Sequence, residues 1–438
     1  TCLLYNSYKK QDAFKYLNYA VTDAGTDIQA YYFLGKAYHL NYQFNEAIKN
    51  YELYKQKAAG KPKAGFEVDR QIEMCQNGKR LLTTISDLVV LQKTESNAKD
   101  FFRLYKLPEH IGGDIIVAAD FQSKIDKKKG HVPLVHLPAQ SNSTIYYASY
   151  GDNDTGQKDI YMRRKLPDGS WSLPQVIAGS VNTKSDEDFP FMQAGSNYLY
   201  FSSKGHNSMG GYDIFRSKLD VENNTFGAPE NMDFAISSPD NDLFFVVDSL
   251  DNNAYFASTR QSSNGNIHVY KVRVTRVPLQ LAVIKGNFSS TIRPENKKIS
   301  VTVTDYASGE KIGTFTSNEK GTYLITFPKG GKYTYEMKVE GSTLSHKYLV
   351  SIPFTKEFKP LKQKILEETL DNSEVVRVVD LFNEEVEDPA GILAEVIKQR
   401  SELNPNAEQF DLEQLDANKE NEKILAELGF ENKGPQEI

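Results

Sequence analysis

Hydrophobic residues recur at helical spacing over the first 80 positions and alternate with polar residues from about Thr84 onward. The first pattern predicts amphipathic helices, and the second predicts half-buried strands. The helical part carries large, small and aromatic residues at fixed intervals, at Leu34, Gly35, Tyr38, Ala47 and Tyr51. We therefore expect two antiparallel helices whose close approach depends on the small side chains of Gly35 and Ala47.

These intervals are typical of the tetratricopeptide repeat, a helical hairpin that stacks into arrays. A shift of 34 positions places Ala13 under Ala47, so residues 1–83 hold one complete repeat and the second helix of another. So short an array buries little core, which favours a chain that starts inside a longer array. A generic helical hairpin is the alternative.

Three tyrosines beside the packing positions are candidates for partner binding: Tyr31, Tyr42 and Tyr54. Aromatic side chains give a large contact area at a low cost in conformational entropy. We expect them to line a groove that binds a partner segment. The alternative is that each belongs to the core of the helical region.

A longer repeat lies in the strand-rich part. Aromatic strands that end in serine occupy 145–149, 199–203 and 254–258, and a second strand follows each of them at Asp159, Asp213 and Asn266. A shared period of about 54 residues predicts four-stranded sheets that repeat around an axis, as in a β-propeller. Segments 88–92 and 100–103 resemble such a strand pair, so we also expect a degraded first copy there.

Residues 279–355 contain short alternating strands that end at glycine turns, as at Gly309 and Gly321. About seven strands in so short a region predict a small β-sandwich.

The remaining segment, 356–438, is acidic, with 21 Asp and Glu residues against 10 Lys and Arg residues. Its apolar clusters include Ile392, Val396 and Leu403, which are candidate partner-binding residues. A short helix is only marginally stable in water, so this segment needs a surface on which to dock. We expect that surface to belong to a partner. The chain's own basic body and a solvated spacer are the alternatives.

The predicted fold class is multidomain α+β. Its parts are tetratricopeptide helices, a β-propeller, a small β-sandwich and a partly helical acidic tail, over residues 1–83, 84–278, 279–355 and 356–438. The number of propeller blades stays open because residues 84–278 hold between three and four periods.

This order of parts resembles the periplasmic OmpA-family envelope proteins of Bacteroidota, which carry a TolB-like (WD40-like) propeller and a carboxypeptidase-regulatory-like sandwich. The strongest match covers 198–205 and 210–215, and a second covers 308–310 and 321–323. The resemblance extends over residues 10–355. It implies a non-enzymatic scaffold in the periplasm, associated with the outer membrane.

The same resemblance implies partners and one departure from the family. Related proteins belong to type 9 secretion, gliding or outer-membrane assembly machines, so other subunits of such a complex are the expected partners. An OmpA-like peptidoglycan-binding domain usually follows the sandwich, and residues 356–438 do not resemble one. Peptidoglycan binding is therefore not expected of this chain. Cys2 is a candidate for lipid attachment, with an ordinary helix-packing cysteine as the alternative.

Candidate chemistry is sparse. The string around Ser208 is close to a hydrolase nucleophile motif, but the first glycine is misplaced and the string lies between two strands. The seven histidines lack the spacing of a zinc site. We therefore expect no catalytic residues, no metal and no cofactor. The rival hypothesis is a sensor or enzyme that uses the propeller axis to bind an envelope peptide or glycan.

Two acidic segments remain. Asp152, Asn153 and Asp154 offer oxygen ligands of the kind that calcium prefers, but they are also ordinary turn residues. Segment 186–188 is expected to face solvent where a sheet begins.

Composition removes other functions. The formal net charge is −6, which provides no basic field for nucleic acid. No apolar run is long enough for a membrane-spanning helix, and two cysteines exclude a disulfide framework.

Overall fold

The computed structural model describes residues 4, 10–22, 25, 27–58, 65–82, 86–107, 113–138, 144–153, 156–248, 253–263, 265–278, 281–355 and 358–402. They form a mixed α+β structure in which strands predominate. Helices make up the N-terminal region, repeated sheets the middle region, and two packed sheets with a final helix the C-terminal region.

Among its described residues, the N-terminal region has four α-helices: α1 (Ala13–Thr22), α2 (Gln29–Leu40), α3 (Phe44–Lys57) and α4 (Val68–Leu81). The antiparallel pair α2 and α3 approaches most closely at Gly35. A Cβ atom on Gly35 would lie 2.8 Å from Cδ1 of Tyr51 and 3.2 Å from the carbonyl oxygen of Ala47. The close approach expected from the sequence is therefore confirmed at this position.

The middle region contains fourteen described strands and the short helix α5 (Lys124–Lys129). The strands are β1 (Ser86–Asn97), β2 (Asp114–Val117), β3 (Leu134–Leu137), β4 (Thr144–Ser149), β5 (Asp159–Arg164), β6 (Gln175–Val176), β7 (Glu187–Met192), β8 (Tyr198–Ser203), β9 (Asp213–Asp220), β10 (Thr225–Phe226), β11 (Glu230–Asn231), β12 (Asp242–Val247), β13 (Asn253–Ser258) and β14 (Asn266–Pro278). The first sheet is β4-β5-β6, the second is β7-β8-β9-β10 with β11 beside β9, and the third has the order β12-β13-β14-β1. Strands β2 and β3 form a separate pair.

The degraded first copy expected from the sequence is wrong. Strand β1 pairs along its length with β14 and completes the third sheet. Phe101–Leu104 is a 3₁₀ helix whose Phe101 and Phe102 are buried in the core of the second and third sheets. A buried 3₁₀ turn and a short buried strand have the same apolar composition, so the sequence pattern does not separate them.

Backbone hydrogen bonds explain the period of the repeat. The amide of Glu187, at the start of the second sheet, donates to the carbonyl of Lys158 in the first sheet at 3.0 Å. The amide of Asp242 donates in the same way to Tyr212 at 2.7 Å. The second and third sheets are thus each joined to the preceding sheet at an equivalent position, as expected for a structural repeat.

Two of the three repeated serines donate to a buried carboxylate. Ser149 and Ser203 donate from Oγ to the carboxylates of Asp126 (2.5 Å) and Glu187 (2.7 Å). Glu187 is fully buried and Asp188 nearly so, which means that the solvent exposure expected for segment 186–188 is wrong. An acidic run looks solvent-exposed in sequence, but here hydroxyl and amide donors satisfy the Glu187 carboxylate.

The three sheets follow one another side by side. Strand β4 contacts β7, and β12 contacts both β7 and β8. Aromatic rings fill the space beside the third sheet, where Tyr105 stacks on Phe244 at 5.4 Å and Phe189 lies 5.8 Å from Phe244. A closed propeller is not observed among the described strands.

The C-terminal region contains two four-stranded sheets that share one core. Its strands are β15 (Ala282–Ser290), β16 (Ile299–Asp305), β17 (Lys311–Thr316), β18 (Thr322–Phe327), β19 (Gly331–Val339), β20 (His346–Ile352), β21 (Leu361–Leu370) and β22 (Ser373–Asp380). The orders are β18-β15-β21-β22 and β17-β16-β19-β20, and β15 pairs with β21 in parallel.

The predicted end of this region at residue 355 is wrong, because β21 and β22 belong to its first sheet. Alternate residues of β21 point into the core, but two of them, Gln363 and Glu367, are polar. Gln363 accepts a hydrogen bond from the Tyr323 hydroxyl at 3.1 Å, and Glu367 forms an ion pair with Arg293. Because these inward-facing residues are polar and the segment is acidic, the sequence does not show the alternation of apolar and polar residues that is typical of a strand.

The last described element is α6 (Pro389–Glu402). Ile392 and Val396 are buried against Val283 of β15, so these residues dock on the chain itself. Docking of these two residues on a partner, which the sequence analysis favoured, is therefore wrong. Leu403 lies outside the described residues.

Replacement of Gly35 by leucine should destabilise the full chain. The new side chain would overlap the Tyr51 ring and the backbone of α3, and overpacking of this kind costs about 1–3 kcal/mol. Thermal unfolding followed by circular dichroism measures the change. Lys49→Leu, on the exposed face of α3, is the matched control. Equal melting temperatures for the two variants would contradict the close approach at Gly35.

Glu187→Gln should flatten the pH dependence of stability. Burial raises the pKa of Glu187 from 4.5 to about 7, so the folded state holds its proton to higher pH than the unfolded state. Protonated Glu187 therefore stabilises the folded state by at most about 3 kcal/mol, and this contribution is complete below pH 4.5, the pKa of the residue in the unfolded chain. The contribution is lost as the pH rises through about 7, the pKa of the residue in the folded chain.

Urea unfolding between roughly pH 4 and pH 8 tests this expectation. The glutamine side chain can keep the hydrogen bonds, because the hydroxyls of Thr183 and Ser203 can accept where they now donate. Glu319→Gln, at an exposed carboxylate, is the control. If the free energy of unfolding of Glu187→Gln depends on pH as steeply as that of the unmodified chain, the raised pKa of Glu187 is contradicted.

Candidate functional site

The loop between β8 and β9, residues 204–212, lies against helices α2 and α4. Its backbone is unusual, because His206 has a φ of 49° and Gly210 leaves no room for a side chain. A Cβ atom on Gly210 would lie 2.1 Å from the carbonyl oxygen of Ser238. The loop is therefore held in a shape that turns several backbone carbonyls towards the helices.

Arg70 of α4 binds three of these carbonyls. Its Nη2 atom donates to Lys204 at 2.7 Å and to Gly205 at 3.1 Å, and Nη1 donates to His206 at 3.3 Å. Nη2 also lies 2.6 Å from the Ser208 hydroxyl. One guanidinium group thus contacts four polar atoms of the loop, and its Nη1 also forms an ion pair with Glu73 of the same helix at 2.8 Å.

Two more side chains complete the contact. Asn77 of α4 donates from Nδ2 to the carbonyl of Ser208 at 3.0 Å. His39 of α2 donates from Nε2 to the carbonyl of Met209 at 2.7 Å. Burial lowers the pKa of His39 from 6.5 to about 3, so the imidazole is neutral and carries its proton on the nitrogen that faces the carbonyl.

Arg70, Asn77 and His39 were not predicted from the sequence as site residues. Arg70 and Asn77 are seven residues apart on α4, which places both on one helix face. Arg70 is half-buried and Asn77 is buried, and together they form a polar surface that binds backbone carbonyls. The loop that they bind lies about 130 residues away in the chain, so no pattern within α4 indicates the contact.

Ser208, the residue closest to a hydrolase motif, is fully buried in this contact. Its hydroxyl lies 2.6 Å from Arg70 and donates to the carbonyl of Lys204 at 3.2 Å. The nearby His206 ring points instead to the carbonyl of Val181. Ser208 therefore stabilises the loop and has no base arranged to activate it among the described residues.

The structure does not bring the three candidate tyrosines together in one open groove. Tyr54 is buried in the helical core, and Tyr42 lies 5.4 Å from Phe234 of the middle region. Tyr31 is half-buried and donates from its hydroxyl to the carbonyl of Val21 at 3.3 Å. The prediction that Tyr54 binds a partner is therefore wrong, because its ring is packed inside the helical core.

A cleft of about 1540 Å³ lies where the three regions meet. Its walls come from the turn between α2 and α3, the third sheet, strands β17 and β18, and helix α6. Lys10 and Arg260 line it, and they form ion pairs with Asp240 and Asp242 respectively. Arg260 also lies over the rings of Phe256 and Tyr270, so its guanidinium group is fixed by one ion pair and two aromatic rings.

Neither a metal site nor a membrane-spanning helix is found in the part of the chain that the structure describes. Among those residues, no cluster of His, Cys, Asp or Glu side chains is arranged to hold a metal ion. Asp154 of the candidate calcium loop lies outside the described residues. Within the described helices, none is both long and apolar enough to cross a bilayer.

Comparisons with known proteins give little information. No family model and no curated protein matches the chain. A "putative cell adhesion protein" of Bacteroides fragilis is similar over 62% of this chain and 94% of its own, with 11% identity and a TM-score of 0.18. One from Bacteroides ovatus covers 62% and 96%, with 9% identity and a TM-score of 0.18. Kuenenia stuttgartiensis hydrazine synthase covers 51% and 43%, with 9% identity and a TM-score of 0.19. Similarities this low support no argument about fold or function.

Arg70→Ala should loosen the loop from the helices. The carbonyls of Lys204 and Gly205 would lose charged donors, and a hydrogen bond to a charged group contributes about 1.5–3 kcal/mol. Hydrogen exchange of the amides in 204–210 should rise, and Arg70→Lys should restore little because an ammonium group cannot reach all the acceptors.

Arg103→Ala is the control, since the ion pair of Arg103 with Asp100 is exposed. Protection of the loop that is the same in Arg70→Ala as in the control would contradict the role of Arg70.

Proposed function

We propose that this chain is a non-enzymatic scaffold or adaptor subunit of a bacterial cell envelope. The observation that carries the proposal is the contact of loop 204–212 with α2 and α4. It fixes the helical region on the repeated sheets through backbone carbonyls and buried side chains. An adaptor needs this property, because partners bound to different regions must be held at a constant separation.

The proposal includes a finer description of the fold. Helices α2 and α3 would be a complete tetratricopeptide repeat, the three sheets would be blades of a TolB-like propeller, and the two packed sheets would be a carboxypeptidase-regulatory-like sandwich. The period of about 54 residues and the hydrogen bonds at Glu187 and Asp242 support the propeller. The contact of Gly35 with Tyr51 supports the repeat.

In this interpretation the tetratricopeptide groove is the face made by α2 and α4. That face holds loop 204–212 of the same chain, so a partner would have to bind elsewhere. Candidate surfaces are the half-buried Tyr31 and the acidic residues 403–438, which contain nine Asp and Glu against three Lys and Arg. Acidic charge would steer the encounter, and the apolar residues among them would supply affinity.

Location and partners follow from the resemblance to OmpA-family envelope proteins of Bacteroidota. We propose a periplasmic protein associated with the outer membrane, with Cys2 as a candidate lipid anchor. Its partners would be other subunits of a type 9 secretion, gliding or outer-membrane assembly machine. Peptidoglycan binding, cofactors and nucleic acid are not part of the proposal.

A ligand-binding sensor is the second candidate, and the cleft between the three regions favours it. The cleft is large and combines aromatic side chains with hydroxyl and amide groups, as ligand sites often do. The aromatic core of the second and third sheets is a less suitable site, because Phe101, Tyr105 and Phe244 pack against one another there. A defined envelope ligand that protects the half-buried Tyr42 and Gln261 of the cleft from solvent would favour the sensor over the scaffold.

Isolation of the native complex from membranes tests the scaffold proposal. The full chain should co-purify with envelope proteins, and a chain that ends at Glu402 should lose at least one of them. A stop at Glu402 leaves β21, β22 and α6 in place, so both forms should have the same melting temperature. Retention of every partner at low and high salt would contradict a binding role for 403–438.

Assays for hydrolysis test the non-enzymatic part of the proposal. The purified chain should not cleave peptide, ester or glycan substrates, because the Ser208 hydroxyl is buried and bonded to Arg70. Activity that disappears in Ser208→Ala, with the fold retained, would overturn the scaffold proposal. Ser342→Ala, at a serine in the C-terminal region, is the matched control.

A further inference from the structure

The sheet β17-β16-β19-β20 has one polar face and one buried face. Thirteen residues of the described strands form the face that points away from the core, and twelve of them are polar or charged: Ser300, Thr302, Thr304, Lys311, Thr314, Thr316, Lys332, Thr334, Glu336, Lys338, Lys347 and Ser351. The thirteenth is Leu349, whose exposed fraction is 48%. A single exposed apolar side chain is common on protein surfaces, so Leu349 matters here only because of the strand on which it lies.

Leu349 lies on β20, which is an edge strand. Among the described residues β20 pairs only with β19, so its other side presents free backbone amide and carbonyl groups. Natural proteins protect such edges with bulges, charges or proline. The pairing of β20 with β19 contains no bulge, whereas the opposite edge strand, β17, has a register shift near Val303.

Two further exposed apolar residues flank this strand at equal distances from Leu349. Leu344 precedes it by five positions with an exposed fraction of 48%, and Phe354 follows it by five with 66%. An antiparallel pairing of two copies of β20 about a two-fold axis at Leu349 would place Leu349 opposite its equivalent. The same axis would place Leu344 of one copy beside Phe354 of the other.

The charges are compatible with the same axis. Lys347 would face Ser351 of the second copy, so no charge would face a like charge. Within its own sheet Lys347 is already paired in register with Glu336. Like charges placed directly opposite each other would destabilise the pairing, and this register avoids them.

We propose that edge strand β20 pairs with β20 of a second copy of this chain, in antiparallel orientation about a two-fold axis at Leu349. The two four-stranded sheets then form one continuous eight-stranded sheet, and Leu344, Leu349 and Phe354 form its apolar contacts. An interface of this kind is isologous and closes at two copies. Self-association goes beyond the scaffold proposal and does not depend on it.

Cysteine crosslinking tests the register. In a full chain carrying Cys2→Ser, the one remaining native cysteine is Cys75, which is buried. Leu349→Cys should then form a covalent dimer under mild oxidation, because residues opposite each other on paired strands lie within disulfide distance. Lys347→Cys is the matched control, since position 347 would face position 351 and not itself. We expect crosslinking of Leu349→Cys to be at least about tenfold faster.

Equal rates for the two variants, or no crosslinked dimer of Leu349→Cys, would overturn the proposed register. The double variant Lys347→Cys with Ser351→Cys should regain crosslinking, and its failure to do so would also count against it.

Sedimentation velocity over micromolar to millimolar concentrations tests the association itself. The unmodified chain should shift from monomer to dimer, and Leu349→Lys should remain monomeric because two lysines would face each other at the axis. Leu173→Lys, at an exposed leucine of the middle region, should still dimerise. A monomer at every concentration, or an unmodified dimer that persists in Leu349→Lys, would overturn the proposal.

Discussion

The backbone carbonyls of loop 204–212 need hydrogen-bond donors, and the helical region supplies them. Buried carbonyl groups without partners are costly, so burial of the loop against the helices requires the donors of Arg70, Asn77 and His39. The helices in turn bury Met209 within their own core. Each region therefore completes the other, and the arrangement of the whole chain depends on this contact.

Two other features bring the regions together. Strand β1 follows α4 in the chain and completes the third sheet, so the helices are attached to the far end of the repeated sheets. Helix α6 then returns across the junction, where Leu393 contacts the helical core and Val396 packs on Val283 of the C-terminal region. The three regions meet around the cleft because elements from each cross to another.

Local patterns in the sequence predicted the local structure. The small residue Gly35 and the repeated serines, such as Ser203, were identified from their spacing alone, and each makes a specific contact in the structure. The end of the C-terminal region was misplaced, because Gln363 and Glu367 are polar residues that are stabilised inside a core by distant partners. A single sequence shows which residues are polar, but it does not show which distant residues will bind them inside the core.

The same reason explains what was missed at the candidate site. From the sequence alone, Arg70 is an ordinary polar residue on the surface of an amphipathic helix. Only the folded structure shows the loop that it binds. The expectation that the helices bind another protein was reasonable for a free groove. Much of that surface is instead used by the chain itself, which no pattern within the helices reveals.

Equilibrium unfolding followed by two signals tests the central claim that the regions form one unit. The only tryptophan, Trp171, lies in the middle region, so its fluorescence reports on the repeated sheets, while far-ultraviolet circular dichroism at helix-specific wavelengths reports mainly on α1–α4. If the contact at loop 204–212 couples the regions, both signals should change at the same denaturant concentration. Loss of the helical signal at a clearly lower concentration, with Trp171 fluorescence unchanged, would contradict the account.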